Sequence, residues 1–284
     1  MDNPTPFQQF IRQCLLYPLT SPFLPPANKV QKDFSYSAGQ LIGTLEAGSP
    51  PSLPKTGESA DGYDYDDGYY HDGNPVSPRF PDQGDNTVKD MATGIMWIIR
   101  PELIIPDGLN VNNIGVERGD YLQGASYSPG DIVTDSSYGS AYVCLIADNA
   151  VDADFASERG DYSANWQATI WATSNYSGGV NPNHMVWDSS QGSPDALTAC
   201  KNLVKSGNND WKCPNIKELQ SIVDYGRQSP AIDPVFANCQ SDYYWSSSLY
   251  VPDPDYAWFV NFNDGYVYLN NRVNAFYVRP CRQY

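Results

Sequence analysis

The 284-residue sequence has few basic residues and no long apolar run. Lysine and arginine number 17 against 33 aspartate and glutamate residues, for a formal net charge of −16. Because nucleic-acid binding needs basic patches, this balance argues against a nucleic-acid partner. The apolar start FQQFIRQCLLYPL is too short and too polar to cross a bilayer. We therefore expect no membrane span. No leader is visible, so we expect export either through a leader that has been removed or by assembly into a particle.

Sequence motifs for common catalytic and metal sites are also missing. The chain contains no GxGxxG, GxxxxGK or GxSxG sequence and no C-x-x-C pair. His71 and His184 are the only histidines, which leaves little scope for a Ser-His-Asp or Cys-His site or for zinc. We therefore expect a protein that is not an enzyme and holds no cofactor or metal.

Two features leave alternatives open. The six cysteines, an even number, favour an oxidising compartment and at least one disulfide, with six free buried thiols as the alternative. The acidic run Asp61–Asp72 invites a calcium site, but its carboxylates do not follow EF-hand spacing. We therefore do not favour calcium there.

Tyrosine, glycine and proline are abundant, at 21, 22 and 23 residues, which favours a turn-rich fold. We predict an amphipathic helix over 5–17 within an N-terminal wrapping segment, 1–60, followed by a domain over 61–284. Within that domain, Thr87–Asp90 and Gly94–Trp97 predict a β-hairpin. A β-rich insertion is expected over about 100–186, where Tyr127 and Trp166 belong to a pattern similar to small chitin-binding modules. That pattern indicates either a second sugar site or only a three-stranded β unit.

Two helices are predicted after the insertion. Ser193 and Pro194 resemble an N-cap and a first-turn proline, and Gly207 would end that helix. Asn215, with Glu218 three residues later, predicts a capping box at the start of a second helix that ends at Val223.

The C-terminal region 241–284 carries the strongest local signal. Asp264-Gly265 between two alternating runs predicts a two-residue hairpin turn that pairs Asn263 with Tyr266. One face then holds the core side chains Trp258, Val260, Phe262, Val267 and Leu269. The other holds Phe259, Asn261, Asn263, Tyr266, Tyr268 and Asn270. The second face combines aromatic rings and amides without charge, as recognition surfaces do. Packing of this face under another loop is the alternative.

A series of ordered motifs gives the chain a family resemblance. They include GDNTVKDMATGIMW, DALTACKNL, DWKCPNIKELQSIVDY, PAIDPVF, YYWSSS, YAWFVNFNDGYVY and YVRPCR. The chain resembles the Legionella collagen-like adhesin C-terminal domain family over roughly 50–98 and 187–284. The resemblance implies an α+β C-type lectin fold, in the variant shared with the formylglycine-generating enzyme, with two helices, short antiparallel strands and many loops. Cys213 departs from the family's W-R-L-P sequence, which implies a local pairing cysteine.

Variable proteins of diversity-generating retroelements share that implied fold, and the terminal region is similar to theirs. The resemblance implies a variable ligand-binding set: Leu249, Tyr250, Asp253, Asp255, Tyr256, Phe259, Asp264, Tyr266, Tyr268, Asn270, Asn271, Val273 and Phe276. It implies an invariant scaffold: Trp245, Trp258, Val260, Phe262, Gly265 and Val267.

Three functions remain after this comparison. The first is a hypervariable ligand-binding protein on a cell surface, outside the cell or on a virus particle, with a protein or glycan ligand. The second is an invariant glycan-binding adhesin of the same family. An enzyme or a structural particle component is the third. The sequence leaves the oligomeric state open.

Overall fold

A computed structural model describes residues 53–58, 77–110, 112–135, 140–148, 164–171 and 183–284, and the backbone of two strands before them. The chain divides into two compact units, Met1–Pro51 and Ser52–Tyr284. In the first unit, β1 (Phe34–Ser37) pairs antiparallel with β2 (Gln40–Gly43). The predicted helix over 5–17 and the acidic run 61–72 lie outside the described residues.

The described part of the second unit forms three sheets. A three-stranded sheet is formed by β3 (Thr87–Asp90), β4 (Ile95–Ile98) and β14 (Cys281–Gln283), with β4 in the middle. A four-stranded sheet runs in chain order through β5 (Val116–Asp120), β6 (Asp131–Asp135), β7 (Ser140–Cys144) and β8 (Trp166–Ala168). The largest sheet has the order β12-β11-β10-β13-β9, from β9 (His184–Met185), β10 (Tyr243–Leu249), β11 (Tyr256–Asn261), β12 (Tyr266–Asn271) and β13 (Phe276–Tyr277).

The predicted α+β C-type lectin fold is wrong, because the described chain is rich in β-sheet. Its two α-helices are α1 (Ala196–Lys201) and α2 (Ile216–Gln220), of six and five residues. Helix α1 begins after Asp195, whose side chain accepts a hydrogen bond from the Thr198 amide at 2.9 Å, and not after Ser193. It ends well before Gly207, since the chain turns back through paired Lys205 and Asn208.

Helix α2 begins with the predicted capping box, which the structure confirms. The Asn215 side chain accepts hydrogen bonds from the amides of Lys217 and Glu218 at 2.9 and 3.0 Å. The Glu218 carboxylate accepts one in return from the Asn215 amide at 2.8 Å. Helices this short are not stable alone, so burial of Leu219 at 0% exposure supplies the support that holds α2 in place.

The four-stranded sheet has its own aromatic core. Tyr127 and Trp166, the residues of the chitin-binding pattern, are 3% and 5% exposed and pack edge to face at 5.4 Å. The Trp166 indole donates to Asp148 at 2.8 Å. Because these rings are buried, they act as core and do not offer a sugar-stacking surface.

The largest sheet separates two hydrophobic clusters. Trp245, Phe259, Phe276 and Met185 belong to the first cluster, together with α1. Tyr244, Val260, Phe262 and Tyr277 belong to the second, together with Leu219 of α2 and Trp97 of β4. Neighbouring residues of β10 thus enter different clusters, as expected for a strand buried on both faces.

The described cysteines are all free thiols in this structure, so the disulfide expected from the cysteine count, and the local pairing implied for Cys213, are not present among them.

Arg279 connects the largest sheet to the three-stranded sheet, on the side of the second hydrophobic cluster. Its side chain is buried, and it donates hydrogen bonds to the carbonyls of Ile98, at 2.8 Å, and of Ile99. The guanidinium also lies over the rings of Phe236 and Tyr244, at 5.0 and 5.6 Å from their centroids. These contacts explain the YVRP sequence, in which the arginine compensates its burial with carbonyls and aromatic faces.

We expect replacement of Trp245 by alanine to destabilise the domain by about 3–5 kcal/mol, because the ring is fully buried and its loss leaves a cavity. Trp258→Ala should cost less, since Trp258, predicted as core, is only half-buried. Chemical denaturation followed by fluorescence measures both. Equal losses of stability in the two variants would contradict the conclusion that Trp245 is more central to the core than Trp258.

Domain stability should also depend on His184. Burial lowers the pKa of its imidazole, the Asp242 carboxylate opposes that shift, and the ring packs on Tyr277 at 4.3 Å. A histidine with a lowered folded pKa is protonated more readily in the unfolded chain, so stability should fall as the pH drops below about 6.5. His184→Phe should flatten this part of the stability profile measured by thermal denaturation. An unchanged slope would assign the effect to other groups.

Candidate ligand-binding surface

The turn between β11 and β12 differs from the prediction. Four residues, 262–265, form it, and Asn261 pairs with Tyr266. The backbone of Phe262 is bonded outside the hairpin, because its amide donates to the Asp242 carbonyl at 2.9 Å and its carbonyl accepts from the Ala231 amide at 2.6 Å, while its side chain is fully buried in the second cluster. Gly265 adopts φ +82°, and a Cβ there would lie 2.6 Å from the Val223 side chain. Only glycine satisfies both conditions without strain.

The predicted assignment of side chains to the two faces of the hairpin is retained. The observed pairing differs from the predicted register by two residues, and a shift of two leaves every side chain on the same face. Phe259 lies opposite Tyr268, and Ala257 lies opposite Asn270. Strand β10 extends these rows, with Tyr243 beside Asn261 and Leu249 beside Ala257. Since paired residues share a face, one surface of the sheet carries six partly exposed residues, here called the hairpin face: Tyr243, Leu249, Asn261, Tyr266, Tyr268 and Asn270.

The centre of the hairpin face is a pair of tyrosines on β12. Tyr266 and Tyr268 are 53% and 54% exposed, and their rings stack at 5.5 Å with 28° between the planes. Tyr243 is 37% exposed and lies 4.7 Å from Phe259, so it connects this surface to the core. The exposed rings are therefore held in place by neighbours before any ligand arrives.

Two asparagines border the tyrosines. The Asn261 side-chain oxygen accepts a hydrogen bond from the Asn263 amide at 3.0 Å. The Asn270 oxygen accepts from the Asn271 amide and the Asn274 side chain, at 2.8 and 2.7 Å. Both side chains are thus oriented through their oxygens. Among the described residues, their NH₂ groups donate no hydrogen bond, so they remain available as donors.

The structure divides the thirteen predicted variable residues among several places. Leu249, Tyr266, Tyr268 and Asn270 lie on the hairpin face. Asp264 lies in the turn. Phe259 and Phe276 are only 4% and 7% exposed and pack against Trp245, so they are core residues in this structure. The other six lie together at the opposite end of the hairpin: Tyr250, Asp253, Asp255, Tyr256, Asn271 and Val273.

That second group surrounds a short loop. Tyr250 donates its amide to the Tyr256 carbonyl at 2.9 Å, and its ring meets Trp258 at 6.0 Å. Alternation places Tyr256 on the face opposite to Tyr268. Arg272 secures the loop, with its guanidinium 2.5 Å from Asp188 and 4.0 Å from Asp255. The predicted set therefore does not form one continuous patch.

The predicted scaffold lies mostly under the hairpin face. Trp245, Val260, Phe262 and Gly265 are buried, whereas Trp258 and Val267 are half-buried. Sequence reasoning missed Tyr243 as a surface residue. The alternation in YYWSSSL places Tyr243 and Trp245 on one face of β10. It identifies Tyr243 as a surface residue only once β10 is known to pair with β11.

Comparison with known proteins assigns the chain to a family. A model described as the Lcl C-terminal domain matches residues 86–282, from β3 into β14 and including the whole hairpin. The chain belongs to the Lcl C-terminal domain family. This confirms the predicted resemblance to Legionella collagen-like protein at family level. No curated protein and no solved structure matches the chain significantly.

Lcl family membership indicates an adhesin-like, ligand-binding domain, consistent with a place outside the cell. Among the described residues, no helix is long and apolar enough to cross a membrane. The same residues contain no cluster of three side chains suited to a metal ion. What the hairpin face offers chemically is aromatic area and hydrogen bonding.

We expect Tyr268→Ala to change the free energy of unfolding by less than about 1 kcal/mol, because more than half of that side chain is already in water. Its cross-strand partner supplies the control, since Phe259→Ala empties a buried site and should cost about 3–5 kcal/mol. Urea denaturation measures both variants. Similar losses would show that Tyr268 is part of the core.

Proposed function

We propose that the chain is a variable ligand-binding protein, displayed outside the cell or on a virus particle, that captures its ligand non-covalently on the hairpin face. The observation that carries this proposal is the stacked, half-exposed Tyr266 and Tyr268 beside two oriented amides, on the edge strand of a sheet whose central residues Trp245, Phe259 and Val260 are buried. We propose no catalytic role, because this surface offers contact area and hydrogen bonds and no paired acid and base.

Binding at such a face uses rigid groups. Tyrosine supplies a large contact area with few rotatable bonds, so little conformational entropy is lost when a ligand binds. The stacking of Tyr266 on Tyr268, and the tilted contact of Tyr243 with Phe259, reduce that loss further. The asparagine NH₂ groups add directional hydrogen bonds at the border of the aromatic area.

Diversification of this region by a retroelement is the finer part of the proposal. Mutagenesis at adenines alters asparagine-type codons, whose products include most residue types of the predicted variable set. Eleven of its thirteen positions are exposed or half-buried, so they can change without emptying the core. Phe259 and Phe276 are the exceptions, and we expect both to remain large and apolar.

An invariant glycan-binding adhesin is the second candidate, favoured by one observation. The Tyr266–Tyr268 pair presents exposed aromatic surface bordered by amides, and none of the six residues of the hairpin face is charged. Such a surface fits the apolar face of a neutral sugar ring and its hydroxyl groups. It does not fit a sulfated or otherwise strongly anionic glycan, given the net charge of −16.

Sequencing the coding region for 241–284 in many individuals of the source population tests the main proposal. We expect substitutions clustered at the eleven accessible positions, including Tyr266 and Tyr268. Trp245 and Gly265 should stay unchanged and Phe259 should remain large and apolar, because burial and backbone geometry constrain them.

A uniform sequence would refute diversification and leave the second candidate. A neutral-glycan array would then distinguish the remaining functions. Binding that is lost in the Tyr266→Ala/Tyr268→Ala double variant and kept in Tyr225→Ala, an exposed tyrosine outside the hairpin face, would establish the adhesin.

A further inference from the structure

Strand β12 forms an outer edge of the largest sheet, and its sequence does not protect that edge. Its six residues, YVYLNN, include no charged residue, proline or glycine, which are the usual means of keeping an edge strand from pairing with another chain. The other outer strands in the described part of the second unit differ. Strands β8, β9 and β14 have three residues or fewer, β5 carries charges in VERGD, and Val88 of β3 pairs with Asp82 on its outer side.

Hydrogen bonds at the two ends of the hairpin show how β11 and β12 alternate. The Asn261 carbonyl accepts from the Gly265 amide at 2.8 Å, at the turn. The Asp255 carbonyl accepts from the Arg272 amide at 2.9 Å, at the other end. Because every second residue of an antiparallel pair bonds to its partner, odd-numbered residues of β11 bond to even-numbered residues of β12. The odd-numbered residues of β12 therefore direct their backbone groups away from the sheet.

Val267 and Leu269 are the central residues of this outer row, here called the open edge. No described residue forms a hydrogen bond with their N–H and C=O groups on that side. The row closes at Asn271, whose amide donates to the Asn270 side chain at 2.8 Å and whose carbonyl accepts from the Asn274 amide at 3.1 Å. The open edge thus offers two donors and two acceptors to another chain.

We propose that the ligand of the hairpin face is a protein, and that an extended segment of this protein adds to the sheet as a strand beside β12. The inference rests on the proposed ligand-binding function and names the class of ligand. Hydrogen bonds to the backbone of Val267 and Leu269 hold the segment, as in other cases of strand addition. On the hairpin face, side chains of the segment lie beside Tyr266 and Tyr268 at an inter-strand spacing of about 5 Å and give the contact its specificity.

This division suits a surface whose side chains change from copy to copy. Tyr266 and Tyr268 bond inward to β11 through their backbones, so replacing their side chains leaves the open edge unchanged. The edge therefore supplies the same hydrogen bonds to every ligand, while the variable side chains select among segments.

The charges around β12 indicate a basic segment. Asp264 lies in the turn at one end of the strand, Asp253 and Asp255 lie in the loop at the other end, and all three are exposed. The cation near that loop, Arg272, is paired with Asp188. We therefore expect a segment that is uncharged opposite the open edge and has lysine or arginine on either side of it. A second copy of this chain fits less well, because its net charge is also −16.

Peptide selection followed by backbone methylation tests the inference. Random peptides of about twelve residues, displayed on phage, are selected against the full chain, and the strongest binders are synthesised. N-methylation then removes one peptide N–H at a time. Because only every second N–H of an added strand bonds to β12, we expect affinity to fall about tenfold or more at alternate positions and to change little between them.

Two variants at one position provide the matched comparison. Leu269→Pro removes an outward N–H without removing a bond to β11, so it should weaken peptide binding about tenfold or more. Leu269→Ala keeps that N–H and should bind within about threefold of the wild-type protein. Should Leu269→Pro fail to fold in a thermal melt, the methylation scan on the wild-type protein still decides.

The outcomes separate strand addition from the proposed function itself. Peptide binding that is lost in the Tyr266→Ala/Tyr268→Ala double variant but shows no alternation on methylation would overturn strand addition and keep the hairpin face. Binding to neutral glycans with no selected peptide would also overturn it, as would a stable dimer that Leu269→Pro dissociates. Peptides that show the alternation but bind the double tyrosine variant equally well would support the open edge and contradict the proposed role of the hairpin face.

Discussion

The burial of Trp245 is the constraint on which the rest of the C-terminal region depends. Its indole N–H donates to the Met185 carbonyl at 3.1 Å, and its ring stacks on Phe276 at 4.3 Å. These contacts connect β10 to β9 and β13 on one side, while Phe259 meets the same ring from β11. A shift of this one side chain would therefore disturb four strands at once. The hairpin that carries the exposed tyrosines is attached to a strand that cannot easily move.

The position of β12 at the edge of the sheet gives the hairpin face its character. An inner strand has neighbours on both sides, whereas the side chains of β12 are supported by β11 alone. Edge strands also expose backbone groups that invite pairing with other chains. Here the side chain of Asn270 accepts the hydrogen bond of the Asn271 amide, and Arg272 continues the ladder to Asp255. The strand can therefore present side chains to a ligand while part of its edge is satisfied.

Sequence alone predicts local features of this protein better than distant ones. The alternation of residues assigned the faces of β11 and β12, and Asn215 with Glu218 identified the start of α2, because both signals lie within a few residues. The sequence misplaces the turn because the backbone of Phe262 bonds to Asp242 and Ala231, which lie outside the hairpin. It predicts Phe259 and Phe276 at the surface because their burial depends on contact with Trp245, a residue of another strand. The predicted α+β C-type lectin fold is wrong because the described chain is rich in β-sheet and its two α-helices have only six and five residues.

The same dependence on distant contacts sets a physical limit on the proposed diversification. Tyr268 and Phe259 are direct cross-strand partners on one face, yet one is more than half exposed and the other is almost fully buried. A substitution at Tyr268 exchanges contact with solvent or ligand, whereas one at Phe259 opens a cavity beside Trp245. Tyr268 should therefore tolerate substitution and Phe259 should not, although only one inter-strand spacing of about 5 Å separates them. Variation in a recognition surface built this way must stop short of the residues that pack on Trp245, so the burial of one tryptophan limits the set of usable positions.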